Sequence, residues 1–76
     1  MTAHQKAIEL ANRAIENPSI LNELPEETHF KFVMGIARFD IELAKKVEAL
    51  RPFTTSQNRI LFWEAVGVLM PQESFF

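Results

Sequence analysis

The chain has 76 residues, a formal charge of −2, 47% apolar residues and no cysteine. That length makes one small domain in which a deep, enclosed active site is not expected. The charge excludes a general nucleic-acid binder and a DNA-mimicking acidic surface, and the missing cysteine excludes a disulfide framework or a thiolate metal site.

The start, MTAHQKAIEL, lacks the basic opening and unbroken apolar run of a secretory signal. Thr2 and Gln5 have the spacing of a capping box, and Ala7, Ile8, Ala11, Ala14 and Ile15 then recur on one side of a first helix over residues 3–16. Asn17-Pro18 closes it and opens a short connector helix within residues 18–24. Pro25 opens the main helix in the same way. Glu26 and Glu27 in its first turn and Lys45, Lys46 and Arg51 near its end suit the macrodipole, and Pro52 stops it. A helix over 26–50 is a rod of roughly 37 Å. Thr54, Thr55 or Ser56 caps a last helix over 56–70, which Pro71 ends, and residues 72–76 form a tail.

The expected fold is therefore all-α: a small bundle of three main helices plus a connector, in one domain spanning residues 1–76. Projected at about 100° per residue, the 26–50 segment carries two apolar stripes on opposite sides. One holds Phe30, Val33, Met34, Ala37, Ile41 and Ala44, and the other Phe32, Ile36, Phe39, Leu43, Val47 and Leu50. A helix greasy on two sides must be sandwiched. The first helix can cover one stripe and the last helix part of the other. The last helix is itself apolar nearly all round, with Glu64 the one charge between Ile60 and Met70. This predicts a face left over and a bundle completed by self-association as a homodimer. On that reading Phe39→Asp dissociates the oligomer or abolishes target binding and leaves most of the helix content.

The residues that carry chemistry are sparse. His4 and His29 form no metal-binding helical pair, and Glu26 with His29 reads as a solvated helix-start pair. Ser19, Ser56 and Ser74 stand in cap, turn or tail positions without a histidine nearby in sequence. Asp40 and Glu42 point to different sides of a helix, and Gly35 and Gly67 read as close-packing positions. No enzyme, metal or cofactor is expected. Lys31, Arg38 and Lys45 recur every seven residues as possible anion contacts on a polar edge, although Glu27 and Glu42 are placed to neutralise that edge. Gln57, Asn58 and Arg59 make too small a polar window for a helix to read a duplex.

The function these features favour is a non-enzymatic protein-protein interaction module in the cytoplasm. It would inhibit or adapt a larger protein through an apolar helical face, as phage and mobile-element accessory proteins do on base rates alone. Its contact residues would be Phe32, Ile36, Phe39, Leu43, Arg59, Phe62 and Trp63, with Phe75 and Phe76 in the tail. The alternatives are an oligomeric sponge for an anionic metabolite or nucleotide and a small DNA-associated regulator. The longest apolar stretch is too short to span a membrane, and a nucleic-acid partner is not expected.

Overall fold

In a computed structural model, which describes residues 2–69 and only the backbone of Val68 and Leu69, the chain folds into five helices with no strand among the described residues. They are α1 (Ala3–Glu16), α2 (Ser19–Asn22), α3 (Glu26–Ala37), α4 (Ile41–Leu50) and α5 (Ser56–Leu69). The architecture is an all-α bundle. The tail aromatics Phe75 and Phe76 lie outside the described residues.

The capping box at the start of α1 forms in both directions. The Gln5 N–H donates to Thr2 Oγ1 at 3.1 Å, and the Thr2 N–H donates to Gln5 Oε1 at 2.8 Å. Ala11 and Ala14 turn inward and are fully buried. Of the candidate caps for α5, Thr55 is the one used: its Oγ1 accepts from the Asn58 N–H at 3.1 Å, and its carbonyl accepts from the Arg59 N–H at 3.2 Å.

The expected rod over 26–50 does not form. α3 ends at Ala37, its final bonds running from the Phe39 and Asp40 N–H groups to the Ile36 carbonyl at 3.0 and 2.8 Å. Asp40 then takes extended backbone (φ −153°, ψ 91°) and starts α4 by accepting the Leu43 N–H on its carboxylate at 3.0 Å. An aspartate that can satisfy an orphan helix N–H offers the chain a new start without glycine or proline. Glu42 in the first turn of α4 adds a favourable charge at that helix's positive end.

The break dissolves the two-stripe problem. Each shorter helix needs only one inward face: His29, Val33, Ile36 and Ala37 on α3, and Ala44, Val47 and Glu48 on α4. Both faces draw from both expected stripes, and the two helices pack against each other and against α1. Of the second expected stripe, Phe32, Phe39 and Leu43 are half-buried against the core, Ile36 and Val47 are fully buried, and Leu50 at the end of α4 is exposed. Phe39 lies at the break with the His4 ring 4.6 Å away, which makes Phe39→Asp a change to the fold as well as to a surface.

The core centres on Phe53, which sits in the loop between α4 and α5 and is 2% exposed. Its ring meets those of His29, Phe30 and Phe62 at centroid distances of 5.2, 5.3 and 5.6 Å, the last two edge-on, the arrangement that aromatic quadrupoles favour. Among the described residues, a Cβ built at Gly35 or Gly67 would meet nothing within 4 Å, so the packing described here does not require a glycine at either position. Both are also less favourable in a helix than alanine by about 0.8 to 1 kcal/mol.

Candidate interaction surface

The face of α5 that the bundle uses is narrow. Phe62 is fully buried and Val66 nearly so, one turn apart on the side facing α3 and the Phe53 ring. Three other large apolar side chains described on this helix are exposed: Ile60 is 57% exposed, Trp63 50% and Leu61 41%. Trp63 touches its neighbour Phe62 edge-on at 5.0 Å, which fixes the indole against the bundle while half of its surface stays open. Arg59 and Glu64 flank this group and are exposed. Of the stretch Ile60–Met70, expected to lie between the long helix and a second copy of the chain, Phe62 and Val66 are covered by the chain's own bundle, and Ile60, Leu61 and Trp63 are exposed on it.

Leu61 belongs to a surface groove between the first turns of α3 and α5, where it faces Phe30, with Glu27, Lys31 and Asn58 around them. The groove continues along α3 past Phe30, Met34 and Gly35 to Arg38. Lys31 pairs with Glu27 at 3.3 Å and Lys45 with Glu42 at 3.6 Å, the neutralised edge that the charge spacing predicts. With the helix broken after Ala37, Lys31 stands on α3, Arg38 at its C-terminal cap and Lys45 on α4, so the three do not line one straight edge.

Of the expected contact residues, the structure brings Arg59 and Trp63 to the open side of α5 and places Ile36 and Phe62 inside the core. Phe32, Phe39 and Leu43 pack against the core at its margin. Ile60 and Leu61 are the apolar surface residues that singling out the largest aromatic missed. Their signal was in the sequence: a stretch apolar on every side cannot bury all of itself against one partner helix.

A polar cluster lies behind α5, where the reading of Glu26 and His29 as a solvated pair is overturned. His29 is fully buried. Its Nε2–H donates to the Arg51 carbonyl at 2.7 Å, because a carbonyl can only accept, and this leaves Nδ1 as a buried lone pair with no hydrogen-bond partner among the described residues. Arg51 is equally unlike the macrodipole cation expected. Its guanidinium Nη1 donates to the Leu21 carbonyl and, at 2.6 Å, to the Leu24 carbonyl, tying the end of α4 to the end of α2. Glu26 accepts from the Thr54 N–H at 3.3 Å and from the Asn58 side chain at 2.8 Å. Burial pushes the Glu26 carboxyl upward, but these two donors and the Arg51 charge outweigh it and hold the group below its ordinary range. Glu48 accepts from the Phe53 N–H at 3.3 Å. Every contact in this cluster ties one element to another, so it positions α5 and the 51–55 loop. Among the described residues, no group of three His, Asp or Glu is arranged to hold a metal ion. No described helix is long and apolar enough to cross a membrane.

Burial is the first cause of a lowered His29 pKa, reinforced by the Arg51 charge and opposed by its carbonyl and by Glu26 and Glu48. The unfolded chain therefore takes up this proton at a higher pH than the folded one. Stability from this site is complete above the ordinary histidine value of 6.5 and is lost as pH falls from there through the lowered folded value. Urea melts between pH 7.5 and 5 should lose up to about 1.4 kcal/mol per pH unit inside that window. His29→Gln should flatten the slope there.

No protein-family profile, curated protein or solved structure matches this chain.

Proposed function

We propose that this chain is a non-enzymatic protein-protein interaction module that inhibits or adapts its target by presenting the outer side of α5. The observation that supports this reading is the division of one helix. Phe62 and Val66 complete the bundle, while Ile60, Leu61 and Trp63 stand open on the same two turns. Single exposed apolar residues are ordinary on any surface, but Ile60 and Trp63 stand open about 60° apart on one side of the helix, and a half-open tryptophan beside an exposed arginine matches the composition of interface hot spots. The polar cluster behind α5 serves the same end, because Glu26, Thr55 and Asn58 fix the start of that helix and a rigid contact face loses less entropy on binding. Nothing in the described residues favours the small-ligand reading over this one, since Lys31 and Lys45 are already paired with acids.

The test is quantitative affinity capture with the full chain, comparing the wild type with Ile60→Asp and with Ile8→Asp on the far helix α1 as a surface control. The proposal expects proteins that the wild type and the α1 variant retain and that the α5 variant loses by at least about tenfold. Equal capture by all three, or none by any, overturns it.

A further inference from the structure

His29 lies fully buried where α5 is attached to the rest of the bundle. Its ring packs on Phe53 at 5.2 Å, Phe53 packs on Phe62 of α5 at 5.6 Å, and Nε2–H holds the Arg51 carbonyl at the start of the loop that carries Phe53. Among the described residues α1, α3 and α4 pack on one another and α2 packs on α1, whereas α5 packs chiefly on α3. The last helix is joined to the body along one seam, and the histidine sits in it. The neutral ring suits this place, with one N–H and one carbonyl to receive it. Charging the ring puts a second proton on Nδ1, which no described residue hydrogen-bonds, so a donor and a positive charge would be left unanswered among packed aromatic rings. Three charged groups act on the ring from the elements around it: Arg51 after α4 opposes the proton, and Glu26 of α3 and Glu48 of α4 favour it. Neither carboxylate reaches Nδ1. Both already accept from the seam, Glu26 from the Thr54 N–H and the Asn58 side chain and Glu48 from the Phe53 N–H. A carboxylate that turned to the imidazolium would let go of the loop or of the first turn of α5.

We infer that His29 is an acid-sensitive latch: a proton on Nδ1 releases the 51–55 loop and α5 from the body formed by α1 to α4, so that α5 is docked at neutral pH and let go in mild acid. Elements of a small domain open separately when their attachments are separate, and here the attachments of α5 run through one ring and the two acids beside it. The direction follows from linkage. Once α5 has left, the ring is in water and takes up its proton near the ordinary value of 6.5, whereas burial first and the Arg51 charge second keep the docked ring neutral below that value. Opening is therefore coupled to proton uptake, and its equilibrium constant rises by up to about tenfold for each pH unit between 6.5 and the midpoint of the docked ring. The latch needs only the bundle and stands or falls apart from the reading of α5 as a contact face. Where that reading also holds, the face is presented rigidly above this window and lost below it.

The experiment is amide hydrogen exchange of the full chain, followed by NMR at several pH values from 7.5 to 5.5 and expressed as protection relative to the free-chain rate at each pH. The Phe62 and Val66 amides of α5 should be at least about tenfold less protected than those of Ala14 in α1 and Ala44 in α4 at every pH, which marks an opening of α5 short of global unfolding. Their protection should fall by about three- to tenfold between pH 7.5 and 5.5. In His29→Gln, whose amide can donate to the Arg51 carbonyl and does not titrate, the same α5 amides should change by less than about twofold. A second reading needs no variant: the His29 ring of the wild type should titrate below 6.5, and the fall in α5 protection should level off at that midpoint and not at that of the exposed His4. Equal protection of α1, α4 and α5 overturns the inference, because α5 then opens only with the whole domain. So does α5 protection that is unchanged with pH, a fall that persists in His29→Gln, or a His29 ring that titrates at 6.5 or above. Capture by Ile60→Asp tests the contact face and does not bear on these results.

Discussion

Phe53→Ala is expected to lower stability by about 3 to 5 kcal/mol, the ordinary cost of removing a fully packed phenylalanine. Here the loss falls on the ring that joins His29, Phe30 and Phe62, and therefore on the contact between α3 and α5. A domain of this size holds only about 5 to 15 kcal/mol in total, so the melting temperature should fall by roughly 15 to 30 °C. Circular dichroism with temperature measures it. A fall under about 5 °C would mean that the loop residue is dispensable and that α5 is held by something other than the aromatic cluster.

The second large effect is expected at Arg51. Arg51→Met keeps most of the aliphatic stem and removes the donors, leaving the Leu21 and Leu24 carbonyls without the guanidinium. Charged hydrogen bonds contribute about 1.5 to 3 kcal/mol each, and part-buried carbonyls left unpaired add to the loss. A destabilisation of about 2 to 4 kcal/mol is the expected result in urea melts. The same change removes a positive charge beside His29 and should raise the His29 pKa, which an NMR titration of the ring protons reads directly. A stable variant with an unmoved histidine would contradict the assignment of Arg51 as the tie between α2, α3 and α4.

Caps and breakers carried most of the fold in readable form. Thr2 with Gln5, Pro18, Pro25, Pro52 and Thr55 each mark an element boundary, because each satisfies or removes a specific backbone N–H. The break at Asp40 escaped because neither glycine nor proline announces it. Read as one acid of a pair, Asp40 is a surface residue; read as a helix cap followed by Glu42, it ends one helix and starts the next. Two opposed apolar stripes on a 25-residue helix were the warning, since a break is the other way to hide both. His29, Arg51 and Phe53 were not legible for a different reason. Each acts across 22 to 30 positions or through a loop, and no local spacing reports such a contact. The α5 surface was half legible: its excess of apolar residues was plain, but which of them face outward depends on where Phe53 places the core.

That division of α5 is tested most directly by comparing the melting temperatures of Ile60→Asp and Phe62→Ala. The predicted result is a change within about 3 °C for Ile60→Asp, a surface exchange, and a fall of roughly 15 °C or more for Phe62→Ala, a core deletion. If Ile60→Asp unfolds the isolated chain as Phe62→Ala does, the outer side of α5 belongs to the fold, and no contact face remains to be explained.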